Sequence, residues 1–314
     1  MNRLFIVGNG FDRAHGLPTA YSDFKKYLIS ICPPSKIDQF AIPDPIMDKD
    51  GCNIYNPDDL IPLFLNVISF ATAAKDIDDY DTWTDFENAL GRLDFRWFLE
   101  QFEIQDDDKE SHLIYRNEDN AVALTECFSK LSDYFTEWIE QISIDCPQLP
   151  NFQKLLANSD NLFLSFNYTN TLETLYSIPN VYHIHGRVNF DKLIFGHAED
   201  EDMFQQEYES KYWGADFALG DLFDALRKPT ADIIKSSSFK EWLSMLMTQV
   251  PDEIYSFGFS FNNIDKPYIR KMMDCIPTHN TIWKLNTFDR AKYPLYKSVI
   301  RDCGFKGDFD EYSI

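Results

Sequence analysis

Residues that could take up a proton, hold a hydroxyl or let the backbone approach a phosphate follow several short apolar runs of this chain. Asn167 and His185 each follow such a run, and Gly8-Asn9-Gly10 follows the stretch Leu4–Val7. A histidine can take up a proton near neutral pH, an asparagine can hold a hydroxyl, and glycines let the backbone approach a phosphate. Their chemistry depends on whether the intervening elements bring them to one place.

The apolar runs alternate with helical patterns, which favours a parallel sheet. The predicted strands are 3–8, 161–166, 181–185, 192–195, 253–260 and 281–288. We therefore predict an α/β fold with a doubly wound, Rossmann-like parallel sheet. In such sheets ligands bind beyond the carboxyl ends of the strands, where the polar residues of this chain lie.

A long helical segment interrupts this pattern. Tyr21–Ile31 reads as a helix and the proline-rich stretch Cys32–Pro57 as a loop. From residue 58 onward, apolar residues recur at helical spacing, as in Leu60, Phe64, Val67 and Ile68. We predict a core domain formed by 1–57 and 159–314, with an all-helical insertion at 58–158.

Composition excludes several classes of protein. The 314 residues include 51 Asp plus Glu against 29 Lys plus Arg, a formal net charge of −22. Such a surface repels nucleic acid and anionic lipid, so we expect neither a nucleic-acid nor a membrane partner. The six cysteines form no C-x-x-C pair, and no signal peptide or membrane span is expected. These features predict a cytoplasmic protein with reduced thiols.

Each candidate residue near the glycines also has a structural interpretation. Gly8 and Gly10 suit either a phosphate or a tight turn, because position 13 is Arg and the full dinucleotide fingerprint is absent. Asp12 could accept a hydrogen bond from a ribose hydroxyl or cap a short helix. Asp265 could equally mark the start of the helix near Pro267.

The histidines allow three interpretations. His183 and His185 alternate along a predicted strand, so we expect both on one side of it. They could be structural, or they could bind a metal together with His197. Alternatively, His185 is a general base at the mouth of the cleft. Asn167, which ends the strand before them, could bind a ligand or simply form a turn or a helix cap.

Together these motifs resemble one protein family. Gly8-Asn9-Gly10-Phe11-Asp12, "LSFNYTNTLETLY" (164–176), "HIHG" (183–186), "IFGH" (194–197) and "FGFSFNNID" (257–265) are similar to the AbiH family of bacterial abortive-infection proteins. The motif set and its order span most of the chain outside the helical insertions. The resemblance implies a role in anti-phage defence.

The same motifs are in turn similar to the sirtuin fold. The first loop, with Gly8, Asn9, Gly10, Phe11, Asp12 and His15, resembles the sirtuin dinucleotide-binding loop, as Gly258 and Ser260 resemble its phosphate loop. The resemblance implies that Asn167 lies beside the nicotinamide ribose, that His185 is the catalytic base, and that Asn286 lies near the adenosine ribose. Asp265 is the last residue of the motif "FGFSFNNID" (257–265), which also contains Gly258 and Ser260, so the resemblance places it in the same binding region.

One departure from sirtuins narrows the implied reaction. The four-cysteine zinc module of sirtuins is absent between Gly186 and Phe195, which argues against deacylation of proteins. The resemblance then implies an NAD hydrolase that uses NAD as substrate and needs no metal. We expect it to be gated through a homo-oligomer or a partner in a defence complex. The alternative is a nucleotide-binding sensor that does not cleave its ligand.

Overall fold

A computed structural model describes residues 1–37, 39–72, 80–100, 110–157 and 160–314. The chain forms two compact units. The first contains Met1–Thr19, Ile139–Ile194 and Pro229–Ile314, and the second contains Ala20–Trp138 and Phe195–Lys228. The predicted domain limits, at 57/58 and 158/159, stay a prediction.

The described residues contain the following elements. The strands are β1 (Asn2–Val7), β2 (Ile46–Met47), β3 (Asn53–Ile54), β4 (Asp160–Ser165), β5 (Val181–His183), β6 (Glu253–Phe257), β7 (Ile282–Asn286) and β8 (Asp308–Tyr312). The helices are α1 (Asn9–Ala14), α2 (Tyr21–Ile31), α3 (Pro57–Ala71), α4 (Phe86–Leu90), α5 (Arg96–Glu100), α6 (Glu110–Ser129), α7 (Leu131–Glu140), α8 (Pro150–Leu156), α9 (Thr171–Tyr176), α10 (Gln205–Lys211), α11 (Asp216–Ala225), α12 (Thr230–Lys235), α13 (Ser237–Thr248), α14 (Lys266–Cys275) and α15 (Tyr293–Asp302). Two 3₁₀ helices, η1 (Tyr80–Asp85) and η2 (Thr287–Lys292), complete the set.

A six-stranded parallel sheet forms the centre of the first unit. Its order is β5-β4-β1-β6-β7-β8, and every neighbouring pair is parallel. The chain builds outward from β1 through β4 to β5, then returns to the other side of β1 and builds outward again. The reversal of strand order lies between β1 and β6, which is the position at which many α/β sheets bind their ligands.

Both faces of this sheet are covered by apolar side chains. Leu4 and Ile6 belong to a core on one face with Trp242 of α13, whereas Phe5 and Val7 belong to a core on the other face with Phe152 of α8. Alternate side chains of a strand point to opposite faces, so a strand buried on both sides reads as one continuous apolar run. This explains why the sequence signal of β1 is strong.

The predicted strand at 192–195 is wrong. The segment has no strand conformation, and Ile194 N–H donates instead to His185 O at 2.9 Å. A parallel neighbour for β5 would need a crossover of about a dozen residues or more, and too few separate the two segments. The chain instead turns back at Gly186, where φ is +82°.

The strand β8 was absent from the prediction because its sequence, DFDEY, is acidic and lacks a clear apolar alternation. It lies at the edge of the sheet, paired only with β7, where Lys284 Nζ contacts Asp310 Oδ2 at 2.5 Å. Charged side chains on an edge strand hinder pairing with further chains. Tertiary pairing, not intrinsic preference, therefore makes this segment a strand.

The second unit is mainly helical, with the short antiparallel pair β2–β3 as its described strands. Phe24, Trp83, Phe86 and Phe135 form part of its buried aromatic core. The described residues between 58 and 157 contain helices and no strand, whereas the predicted insertion at 58–158 stays a prediction. No helix in the described ranges has both the length and the apolar content that a bilayer crossing requires.

Candidate functional site

Polar side chains gather at the carboxyl ends of β1 and β4, which are neighbours in the sheet. Thr169 Oγ1 donates a hydrogen bond to Asp12 Oδ2 at 2.6 Å, and Thr169 and Thr171 hydroxyl oxygens lie 2.9 Å apart. Asp12 is 1% exposed. Burial raises the pKa of Asp12 to about 6, although hydrogen bonds from Thr169, Thr171 and Asn167 oppose the shift.

Asn167 connects this cluster with the next strand. Its backbone carbonyl oxygen faces His183 Nδ1 at 2.9 Å, which requires the histidine nitrogen to donate. Its side chain is buried, and within the described part of the chain its amide oxygen Oδ1 has no hydrogen-bond partner. A buried acceptor of this kind costs about 1–3 kcal/mol unless a donor satisfies it. A buried polar atom without a partner calls for an explanation, such as a bound water, a ligand or local strain.

His183 forms a second polar cluster with residues of α9 and of the turn after β5. Its Nε2 lies 2.9 Å from Glu173 Oε1, and Arg187 Nη1 contacts the same oxygen at 2.9 Å. Burial acts to raise the pKa of Glu173, but the hydrogen bond and charge of His183, with help from Arg187, leave this pKa below its ordinary value. Both ring nitrogens of His183 thus face acceptors of the protein.

His185 points to a different set of partners. It is 3% exposed, and its Nε2 lies 3.8 Å from Asp265 Oδ1. Its ring packs edge-on against Phe166 and Tyr268, with centroid distances of 5.5 and 5.6 Å. Asp265 precedes α14 but makes no capping hydrogen bond with its side chain. One carboxylate oxygen of Asp265 thus faces the imidazole.

The expectation that His183 and His185 share one side of a strand is wrong. His183 contacts α9, whose Leu172 lies in the core on one face of the sheet, whereas His185 contacts Tyr268 in the core on the other face. The strand ends at His183, so the two-residue alternation does not extend to His185.

The positions of the histidines also bear on the interpretation that they bind a metal together. His197 belongs to the second compact unit, where its Nε2 lies 2.9 Å from Phe223 O. Among the described residues, no group of three His, Cys, Asp or Glu side chains has the arrangement of a metal site.

The glycines of the first loop are explained by a close approach of two backbones. A Cβ at Gly10 would lie 2.5 Å from Gly258 Cα, and one at Gly8 would lie 2.6 Å from Gly258 O. Gly10 N–H donates to Gly258 O at 2.9 Å. The turn after β1 thus needs glycine to accommodate the turn after β6, with or without a ligand.

Several other predicted binding residues have their side chains engaged within the protein. Asn9 exchanges hydrogen bonds with Thr19, and His15 uses its two ring nitrogens on Phe11 O and Tyr176 Oη, at 2.8 and 2.7 Å. Asn286 Oδ1 accepts from Phe288 N–H at 3.1 Å and so caps η2. Phe11 is wholly buried among aromatic rings. We therefore assign these side chains a structural contribution.

The loop after β6 is held in an unusual shape. Phe261 is buried although its φ is +57°, a conformation that is costly for a bulky residue. Its ring packs on Phe259 and Tyr296, with centroid distances of 4.8 and 4.9 Å. Ser260 between the two phenylalanines is exposed. Strained backbone that packing maintains is typical of functional loops.

Some residues of the site were missing from the sequence prediction. Glu173 and Arg187 complete the His183 cluster, and Tyr268 covers His185. The hydroxyl of Thr169 likewise completes the cluster at Asp12. The acidic residue and the threonines do stand inside the motif "NYTNTLETLY", two to six residues beyond Asn167. A search of that motif for hydrogen-bonding side chains would have found them.

The chain was compared with known families, curated proteins and solved structures. A family model described as "Bacteriophage abortive infection AbiH" matches residues 4–287. No curated protein and no solved structure gives a significant match. The matched range includes both polar clusters and the loop after β6. The chain therefore belongs to the AbiH family of bacteriophage abortive-infection proteins.

Proposed function

We propose that this AbiH protein is an NAD+ glycohydrolase, with its site at the carboxyl ends of β1, β4 and β6. Family membership connects the chain with abortive infection. The finer assignment is supported by the strand order, which in chain order reads 3-2-1-4-5-6, as in folds that bind dinucleotides at the reversal of the sheet. The sirtuin-like, doubly wound character of the core is part of this proposal.

The observation that carries the proposal is the buried, unpartnered amide oxygen of Asn167. It lies in a residue whose neighbours are Asp12 and His183, at the end of β4 beside the central strand. An acceptor in this position suits the O–H of a ribose or of an attacking water. The glycine-containing turns after β1 and β6 place their backbones at the same edge of the sheet.

The proposed reaction breaks the bond between nicotinamide and the ribose C1′ carbon. The bonding electron pair goes to the nicotinamide nitrogen, which leaves as a neutral group. The oxygen of water bonds to C1′ and its proton passes to His185, giving ADP-ribose. Asn167 orients the water or a ribose hydroxyl, and a positioned base contributes about 10²–10⁴-fold in rate. The loops of Gly8–Asp12 and Gly258–Ser260 bind the pyrophosphate.

Depletion of NAD would stop an infected cell, so the activity needs a trigger. We propose that assembly into a homo-oligomer, or contact with a partner of a defence complex, supplies it. The strained conformation at Phe261 fits a loop whose shape depends on its surroundings. This element of the proposal concerns regulation and is separate from the assignment of the site.

The test is release of nicotinamide from NAD by the purified protein. With the protein in its assembled form, we expect turnover in the wild type and its loss in Asn167→Ala and in His185→Ala. Matched controls are Asn280→Ala and His279→Ala, two exposed residues in the turn before β7, at the opposite edge of the sheet. Full turnover in both site variants would overturn the assignment of the site.

A second candidate function is a sensor that binds the nucleotide without cleaving it. The observation that favours it is the engagement of Asn9, His15 and Asn286 within the protein, together with the burial of Asn167 and His185. A sensor would gain thermal stability from NAD or ADP-ribose yet release no nicotinamide. The same assay, combined with a melting measurement, separates the two functions.

A further inference from the structure

A histidine and an aspartate from distant parts of the chain meet beside the proposed site. His185 follows β5 and Asp265 precedes α14, and both are buried, with 3% and 9% exposure. The atoms that face each other are His185 Nε2 and Asp265 Oδ1, at 3.8 Å. Asp265 immediately precedes α14, and its side chain makes no capping hydrogen bond there.

A buried imidazole that accepts a proton needs a nearby negative charge. Desolvation disfavours the imidazolium form, whereas a carboxylate within about 4–6 Å favours it. Asp265 also lies at the amino end of the ten-residue helix α14, where the helix dipole stabilises a carboxylate. The pair thus has the arrangement in which one group keeps its charge and the other can gain one.

The remaining surroundings of His185 are mostly aromatic. The rings that pack on it belong to Phe166, Tyr168 and Tyr268, of which the two tyrosines are titratable. His183, two residues away, directs its ring nitrogens to Asn167 O and Glu173. Among these described contacts, Asp265 is the anionic group that faces the imidazole.

We infer that Asp265 is a positioning residue, which acts through His185 by stabilising its protonated form with a nearby negative charge, and not a ligand of the nucleotide. Its consequence for turnover rests on the proposed glycohydrolase function. The pairing itself does not, because it concerns two side chains of the free protein. This distinction allows the two ideas to be tested separately.

The first measurement is an NMR titration of the six histidines in wild-type protein and in Asp265→Asn. The His185 signal is assigned by its loss in His185→Gln. We expect removal of the carboxylate charge to lower the pKa of His185 by about one unit or more, with the other histidines unchanged. An unchanged His185 titration in a folded Asp265→Asn protein would overturn the inference, as would an equal shift of every histidine.

The second measurement is the pH profile of nicotinamide release. In Asp265→Asn we expect kcat to fall by about tenfold or more, with KM little changed. The rise of kcat with pH that accompanies deprotonation of the general base should move to lower pH. Asp265→Glu, which keeps the charge, should restore part of kcat and serves as the alternative variant if Asp265→Asn does not fold. A change in KM alone would instead identify Asp265 as a ligand-binding residue and refute the positioning role.

The two measurements separate the possible failures. Wild-type protein that shows the His185 shift but no turnover, in its assembled form as well as alone, refutes the glycohydrolase and leaves the pair established. Turnover that depends on His185 but not on Asp265 leaves the glycohydrolase established and refutes the positioning role of Asp265.

Discussion

Gly258 lies against Gly10 so closely that a Cβ on Gly258 would meet the Gly10 carbonyl carbon at 2.3 Å. The φ of Gly258 is +61°, which favours glycine independently. The turns after β1 and β6, the two strands beside the reversal of the sheet, are therefore locked together by their backbones. This contact sets the shape of the edge at which we propose that the nucleotide binds.

Gly10→Ala should destabilise the fold, because the added Cβ would lie 2.5 Å from Gly258 Cα and neither backbone can move freely. We expect a loss of more than about 2 kcal/mol in the free energy of unfolding, measured by denaturant titration. Gly220→Ala is the control. Gly220 lies inside α11, where the nearest contact of a Cβ is 3.4 Å away and alanine should gain up to about 1 kcal/mol. Equal effects at both positions would contradict the close-approach argument.

Asp12→Asn should stabilise the protein at pH 7 and above. The folded pKa of Asp12 is raised from 3.8 to about 6, so the folded state holds a proton that the unfolded state has lost. The free energy of unfolding therefore falls as pH rises from 3.8 to about 6. At neutral pH it is lower by about 3 kcal/mol than it would be without this pKa shift. Asparagine removes the buried charge, so the melting temperature of the variant should exceed that of the wild type at pH 7.5 and approach it near pH 4.

Asp274→Asn, at an exposed position of α14, is the control for this pH dependence. Its melting curve should follow that of the wild type across the same range. A fall in the stability of Asp12→Asn at pH 7.5 would mean that the ionised carboxylate is well solvated by its hydrogen bonds.

Glu173→Gln should show the opposite dependence on pH. Burial alone would raise the pKa of Glu173, but His183 and Arg187 lower it below its ordinary value, so the charged form is favoured in the folded protein. This stabilisation is present above the unfolded pKa of about 4.5 and is lost as pH falls through the folded pKa. We expect the variant to lose about 1–3 kcal/mol at pH 7, and less near pH 3. Glu241→Gln, exposed on α13, should change little in the same unfolding measurements.

Asn167→Ala should affect turnover more than stability. Within the described residues its Oδ1 has no partner, so the substitution removes an unsatisfied acceptor along with the amide that assists Asp12. We expect the melting temperature to change by only a few degrees, whereas nicotinamide release falls by about 10²-fold or more. A large loss of stability at unchanged turnover per folded molecule would identify Asn167 as a structural residue.

The sequence by itself determined the parallel sheet and the edge at which its polar residues gather. Leu4–Val7 and the run ending at Ser165 are apolar because both faces of their strands are buried, and this local signal survives without tertiary information. Asp12 and Asn167 could then be placed near each other, since carboxyl ends of parallel strands share an edge. The AbiH motifs could likewise be recognised from the sequence alone.

Tertiary structure alone decided which partner each side chain has. Nothing in the sequence indicates that His185 and Asp265 are in contact. They meet because the segments that follow β5 and β6 fold into the same compact unit. Likewise, Gly10 serves the approach of Gly258, and the acidic β8 is a strand only through pairing with β7. Local preferences act over a few residues, whereas burial and close backbone approach depend on segments that meet only after folding.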